Sequence, residues 1–308
     1  MELKYEVNHR KGFSRVGLAV FMAGVLARGV TSVMAIAILG INENLLKNPW
    51  VSVALQTIGI DVVGIIVLIL MLKKLPTGEK RESKKLSIGN IIKLCFIILA
   101  AGFGIGIISD CIVNLLSTLK GSEIARPTAD IESLSNFFIT SIYTVISAPI
   151  CEEIMFRKIV LNKIRQYGDK IAIFTTAIMF GLFHANISQI IYTVPLGIIL
   201  AYVALKTGTI KYSIILHMCM NVVGGIITPL LGAYYPNLNN ILVVILIVVG
   251  VILLIKDRKK SKLSKGEIEL EKGSVFKTTC MNLGMILFIV AILAFTLYQT
   301  LVVTKLGH

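Results

Sequence analysis

One stretch of this chain reads ILVVILIVVGVILLI, residues 241–255, without a single polar or charged side chain. A helix that crosses the hydrocarbon core of a bilayer needs about 20 predominantly apolar residues. Segments of comparable character lie near 13–40, 50–72, 91–116, 136–157, 171–189, 190–205, 211–232 and 281–304. The sequence therefore predicts an all-α fold, a polytopic transmembrane helix bundle of about eight to nine spans.

The composition of the whole chain agrees with a membrane fold. Of its 308 residues, 56% are hydrophobic and 16% are charged, and the mean hydropathy is +0.84. Soluble globular domains do not have such a composition. Because only short polar connections separate the apolar segments, we divide the chain by position into N-terminal helices (1–135), a central helical core (136–232) and C-terminal helices (233–308).

The net charge of +14 raises the question of nucleic-acid binding, and the placement of the basic residues answers it. Most Lys and Arg residues lie in alternate connections between apolar segments, above all at 73–93, 157–170 and 256–277. This bias is typical of cytoplasmic loops. It predicts an integral, multi-pass membrane protein with a cytoplasmic N-terminus, in contact with membrane lipids and without a nucleic-acid partner.

The five cysteines all lie in or beside apolar segments, and their spacing shows no pairing pattern. They are Cys95, Cys111, Cys151, Cys219 and Cys280. We therefore expect free thiols rather than a disulfide framework.

Ionisable side chains inside the predicted spans need a physical reason, since each costs at least ~2.5–3.5 kcal/mol at the centre of a helix. Arg28, Asp61 and Asp110 lie deep in their segments. We interpret them as pairing with one another across helices, and a functional role for them stays open.

Two adjacent acids lie in the stretch APICEEIMFR, residues 148–157. Neighbouring side chains on a helix project about 100° apart, so Glu152 and Glu153 cannot share one environment. Glu153 precedes Arg157 by four residues, the favourable order for an ion pair. Glu152 is then available to hold or deprotonate a water molecule, and Pro149 can loosen the helix beside it.

Two histidine segments follow, FGLFHAN at 180–186 and HMCMN at 217–221. Taken alone, His184 also fits a histidine that is simply hydrogen-bonded in the core of a bundle. His217 and Asn221 lie one helical turn apart and can both donate toward one point. Paired donors of this kind stabilise a developing oxyanion.

Together, three spaced motifs resemble the CPBP family of intramembrane peptidases, which includes the CAAX prenyl endopeptidases and bacterial proteins linked to bacteriocin processing and self-immunity. The resemblance covers about 136–226, and its residues stand in the same order along the chain. They are Glu152-Glu153-x-x-x-Arg157, Phe180-x-x-x-His184 and His217-x-x-x-Asn221, with Ala148-Pro149, Phe156 and Gly197 as further matches.

The resemblance implies an intramembrane endopeptidase that hydrolyses a peptide bond in a membrane-associated substrate. A prenylated CAAX-like peptide, a leader peptide and a membrane protein all fit this description. By similarity, Glu152 is the general base, His184 orients the water, and His217 and Asn221 stabilise the oxyanion.

Three further motif residues, Glu153, Arg157 and Phe180, are implied to be structural support. Two alternatives from other classes stay open. One is a non-catalytic membrane immunity or scaffold protein. The other is an ion-coupled transporter, because intramembrane Glu, His and Asp also build ion pathways.

The family has also been described as metal-dependent, and in that case Glu152, His184 and His217 would be the ligands of a catalytic zinc. The chain has no His-Glu-x-x-His pair, and a glutamate base with oxyanion donors accounts for every motif residue. We therefore favour a mechanism without a cofactor, with zinc as the alternative.

Overall fold

The computed structural model describes residues 2–124, 126, 133–257 and 263–301, with side chains described from residue 9 onward. Within these residues the regular secondary structure is helical throughout, without strands. The described residues form nine long helices: α1 (Glu2–Ile41), α2 (Pro49–Leu72), α3 (Ile88–Lys120), α4 (Leu134–Tyr167), α5 (Asp169–Phe183), α6 (Ile187–Thr207), α7 (Lys211–Tyr234), α8 (Pro236–Asp257) and α9 (Leu283–Leu301).

Eight of these helices are long and apolar enough to cross a membrane. The prediction of an all-α, polytopic membrane protein is therefore confirmed. The exception is α5, whose 15 residues reach about 22 Å at 1.5 Å per residue, short of a hydrocarbon core of about 30 Å.

The predicted span at 171–189 ends early because a sharp turn follows α5. Ala185 has a positive φ of 53°, which a helix cannot contain. The Asn186 side chain then accepts hydrogen bonds from the backbone N–H groups of Ser188 and Gln189 and so caps the start of α6. Hydropathy alone does not show such a break.

Contacts divide the chain into two compact units built from separate segments. Unit 1 takes its residues from 1–79, 129–168 and 265–288, and unit 2 from 80–128, 169–264 and 289–308. The division into three consecutive regions drawn from the sequence stays a prediction.

In unit 1, α1 packs along α2, and both contribute fully buried side chains to a core with α4. The core includes Phe13, Leu68, Leu72, Met155 and Phe156. This packing fixes the middle of α4, the part that carries the two adjacent acids.

In unit 2, α6 packs against both α5 and α3, and α3 also packs against α8. The turn from α6 into α7 depends on Gly208, which has a positive φ of 64°. A side chain there would also collide with the carbonyl oxygen of Glu82, 2.4 Å from an added Cβ. Glycine is required because it alone combines this backbone conformation with so close an approach.

Candidate active site

The adjacent acids of α4 have different surroundings. Glu153 is fully buried and its Oε1 lies 3.1 Å from Nη1 of Arg157, which is also buried. The predicted pairing of these two residues is confirmed. Glu152 projects in another direction and is only half-buried.

The helix around these acids departs from regular α geometry. An α-helical stretch, Ala148–Glu153, lies between two π-helical stretches, Tyr143–Ser147 and Ile154–Val160. Pro149 stands in the first turn of the α-helical stretch, where its missing N–H donor interrupts the regular hydrogen-bond ladder. Since π-bulges occur frequently at functional sites, this geometry marks the turn that carries Glu152.

Another acid of unit 1, Asp61, lies beside Glu152. Asp61 is 1% exposed and belongs to a π-helical stretch of α2, Gln56–Val62, which packs against Ala148–Glu153. The Tyr143 hydroxyl donates a hydrogen bond to Asp61 Oδ1 over 3.4 Å, and the Glu152 carboxylate is close enough to interact electrostatically with the same group. Two carboxyl groups and a phenol therefore gather on one side of α4.

Each of the three deep charges found in the sequence has a described partner. Besides the Asp61 contact with Tyr143, Asp110 pairs with Arg126 over 3.6 Å, and Arg28 Nη1 donates to the Gly24 carbonyl oxygen. The expected mutual pairing of the three residues stays a prediction. A costly buried carboxyl at the centre of a predicted span was the signal for Asp61, but the sequence could not name its neighbours.

In unit 2, His184 stands at the end of α5 with a defined ring orientation. Its Nδ1 lies 2.9 Å from the Phe180 carbonyl oxygen, one turn earlier. A carbonyl oxygen can only accept, so Nδ1 carries the hydrogen and Nε2 is the acceptor nitrogen of the neutral ring. An acceptor in this position can orient a water molecule.

Phe180 holds His184 and His217 of unit 2 near each other. Its ring makes edge-on contacts with the rings of His184 and His217, at centroid distances of 5.0 Å and 5.8 Å. His217 is buried, and Asn221 is half-buried one turn further along α7. Residues from two separate motifs therefore meet around one aromatic ring.

The position of Phe180 depends on a close approach of α5 and α6. An added Cβ at Gly197 would lie 3.1 Å from both Ala177 Cα and Phe180 Cδ1. A larger residue at Gly197 would push the two helices apart and displace the ring that contacts both histidines.

The predicted site residues thus form two groups. Glu152, Glu153 and Arg157 lie together in unit 1, and Phe180, His184, His217 and Asn221 lie on two neighbouring helices of unit 2. Convergence of all the predicted catalytic residues on one water pocket stays a prediction.

The alternative with zinc requires three suitable ligands within reach of one ion. Across the part of the chain that the structure describes, no group of three or more His, Cys, Asp or Glu side chains is placed to hold a metal ion. The three candidate ligands belong to different units, so zinc binding stays an untested alternative, and we derive no catalytic step through a metal.

The long apolar helices define the class of this protein, which is an integral multi-pass membrane protein. Residues 134–223 match the family model described as Type II CAAX prenyl endopeptidase Rce1-like. That segment contains every motif residue, so the resemblance to this family is confirmed there.

A curated protein of Bacillus subtilis (strain 168), "Putative membrane peptidase YdiL", is 27% identical to this chain over 161 residues. The match covers 51% of this chain and 64% of that protein, less than two thirds of its length. No solved structure matches this chain.

Proposed function

We propose that this protein is an intramembrane endopeptidase in which Glu152 activates the attacking water. The observation that carries the proposal is the division between the adjacent acids of α4. Arg157 holds Glu153 in a fully buried ion pair, whereas Glu152 is half-buried and, as the adjacent residue of the helix, projects about 100° away from Glu153. Glu152 is therefore the acid of the pair that can reach water and serve as a base.

In the proposed reaction, Glu152 takes a proton from water while the water oxygen attacks the scissile carbonyl carbon. His217 and Asn221 donate hydrogen bonds to the oxyanion that develops on the carbonyl oxygen. His184 accepts a hydrogen bond from the water through Nε2, an orientation supported by its Nδ1 contact with Phe180. Glu152 then returns the proton to the leaving amine, which gives one carboxylic acid and one amine.

The proposed substrate is a peptide or protein that reaches the enzyme through the membrane. A CAAX-like prenylated peptide, a leader peptide and a membrane protein each present a peptide bond near the bilayer. The family match at 134–223 supports the first of these. From the distribution of basic residues we propose a cytoplasmic N-terminus, which protease protection of an N-terminal tag in sealed vesicles tests.

The test is a cleavage screen with purified protein in liposomes, with and without a chelator, against members of the three substrate classes. We expect Glu152→Gln to lower kcat by about 10²–10⁴-fold, the usual contribution of general acid–base catalysis. His217→Ala and Asn221→Ala should each cost about 10²–10³-fold, as expected for lost oxyanion donors. Glu43→Gln, an exposed acid outside the motifs, is the matched control and should leave cleavage unchanged.

Equal cleavage by the wild type and Glu152→Gln would contradict the assigned base. Loss of activity with a chelator, restored by zinc, would support the metal-dependent alternative. Binding of a peptide without cleavage would favour the immunity or scaffold function, and ion-dependent flux without cleavage would favour a transporter.

A further inference from the structure

A cavity of about 230 Å³ lies within unit 1. Its described walls come from the beginning of α1, the end of α4, the connection that follows α2, and Ile268. No motif residue is among the described residues that line it. The function proposed above therefore leaves this cavity unexplained.

Gly12, in the interior of α1, leaves room for the cavity. Among the described residues, an added Cβ at this position would meet only the Tyr167 hydroxyl oxygen, at an ordinary contact distance of 3.8 Å. A close approach of two backbones therefore does not require glycine here, although glycine is less favourable than alanine inside a helix. A longer side chain at Gly12 would occupy the cavity.

Apolar side chains form most of the wall. Phe13, Val16 and Ile164 are buried around the cavity, and Leu75 and Ile268 extend the same apolar surface. Binding sites for small molecules are typically apolar, with a few polar groups that fix the orientation of the ligand. These walls favour the hydrocarbon chain of a ligand.

The polar part of the described lining contains one permanent charge, the ammonium group of Lys163. The His9 Nδ1 and the Tyr167 hydroxyl lie 3.0 Å apart, and the Gln166 amide donates to the Lys163 carbonyl oxygen over 2.7 Å. The Lys163 Nζ donates to the Leu75 carbonyl oxygen over 2.7 Å. This contact uses one of the three N–H donors of the ammonium group.

The described acids leave this charge unmatched. Lys93 and Lys206 are also half-buried, and each pairs with an acid. No acid among the described residues pairs with Lys163, and no described lining residue is acidic. A carboxylate brought by a ligand would provide an anionic partner, and a charge-assisted hydrogen bond of this kind is strong.

The cavity lies at the level where two candidate membrane spans end. One span begins at His9 and another ends at Tyr167, and both residues line the cavity. Tyr and Lys side chains at the ends of spans lie near the lipid head groups. An amphiphile can therefore enter the cavity from the membrane surface.

The volume of the cavity limits the length of the ligand. A water molecule takes about 30 Å³ in the liquid, and a methylene group takes a similar volume. A cavity of about 230 Å³ therefore holds a chain of about eight carbon atoms. A phospholipid with two long chains does not fit.

We propose that this cavity binds a medium-chain fatty acid as its carboxylate. The carboxylate accepts a hydrogen bond from the Lys163 ammonium group, and the chain packs against Phe13, Val16 and Ile164. The site is separate from the proposed peptidase reaction, and its test needs no peptide substrate.

The test is isothermal titration calorimetry with the full chain in nanodiscs and sodium octanoate as the probe, after subtraction of the heat from empty nanodiscs. We expect saturable binding of one octanoate per chain. Butanoate should bind about 200-fold more weakly, because each of its four missing methylene groups contributes about fourfold. Absence of heat above that of empty nanodiscs would overturn the site.

Two variants of Gly12 test the location. Gly12→Leu should abolish binding because its side chain fills the cavity, and Gly12→Ala should weaken binding about fourfold because it takes the space of one methylene group. Gly29→Leu is the matched control in the same helix, since Gly29 is exposed and an added Cβ there meets no described atom within 4 Å. Octanoate binding that is equal in the wild type and both Gly12 variants would place the ligand elsewhere.

The carboxylate contact is tested with 1-octanol, a neutral ligand with the same chain. The wild type should bind octanoate about 10- to 100-fold more tightly than octanol, as expected for a hydrogen bond to a charged group. Lys163→Gln keeps a donor for the Leu75 carbonyl oxygen and should remove this preference while octanol still binds. Lys11→Gln, at an exposed lysine of α1, is the control and should retain it. Equal affinity of the wild type for octanoate and octanol would overturn the assigned contact.

Discussion

Two buried acids, Glu153 in unit 1 and Asp169 in unit 2, are neutralised in different ways. Glu153 pairs with Arg157 on its own helix, and both side chains are at most 1% exposed. Asp169 is equally buried, but its partners Arg81 and Lys206 come from distant segments and are 26% and 30% exposed. The Glu153–Arg157 pair therefore lies within one helix, whereas the contacts of Asp169 join several segments of unit 2.

The contacts of Asp169 explain its role at the start of α5. Its Oδ1 accepts from Arg81, which also donates to the Leu205 carbonyl oxygen at the end of α6, and its Oδ2 accepts from the Ser264 backbone N–H. Burial opposes ionisation of Asp169, but these hydrogen bonds and the charges of Arg81 and Lys206 outweigh it and lower the pKa of the carboxyl. Asp169 therefore holds three connections of unit 2 in place as an anion.

The largest expected effect comes from breaking the Glu153–Arg157 pair. Arg157→Ala leaves Glu153 as a buried charge without its ion-pair partner, which costs about 3–5 kcal/mol. The measurement is the free energy of unfolding in detergent micelles. The double variant Glu153→Gln/Arg157→Met should recover most of the loss, because it removes both charges at similar volume. Unchanged stability of Arg157→Ala would show that the pair does not stabilise α4.

A smaller loss of stability is expected when Asp169 is replaced, because its partners retain access to solvent. Asp169→Asn removes the charge from several hydrogen bonds and should cost about 2 kcal/mol, within the range for hydrogen bonds to charged groups. The control is Asp257→Asn, since Asp257 pairs with Lys93 over 2.6 Å but is 28% exposed. Equal melting temperatures for the two variants would contradict the larger contribution that we expect from Asp169.

The pH dependence of stability provides a third test. The pKa of Asp169 is lower in the folded protein, so its contribution is present above the unfolded pKa of about 3.9 and is lost as pH falls through the lower folded value. The melting temperature of the wild type should therefore approach that of Asp169→Asn below about pH 4. A constant difference between the two proteins at every pH would contradict the assigned ionisation.

The smallest effect is expected at an exposed pair with the same spacing as Glu153 and Arg157. Lys265 and Glu269 are also four residues apart and lie 3.0 Å from each other, but their side chains are 89% and 70% exposed. Surface pairs of this kind contribute little because water screens them. Glu269→Gln should leave the thermal midpoint unchanged, and a clear loss would show that burial does not set the order of these effects.

Prediction from the sequence was most successful where the relevant contacts are local. The Glu153–Arg157 pair and the Phe180–His184 contact both join residues four apart, and helical geometry alone brings such residues together. The contact between Phe180 and His217, and that between Asp61 and Tyr143, join different helices. The relative position of two helices depends on side-chain packing along their whole length, which no motif records.

By itself, the sequence determined the membrane class, the all-α fold and the identity of the motif residues, because hydropathy and helical periodicity are local properties of the chain. The tertiary structure decided where α5 ends and which partners surround Asp61 and Asp169. These features depend on one turn geometry at Ala185 and on the register between helices. Register is set by many long-range contacts acting together, and so it emerges only when the helices pack.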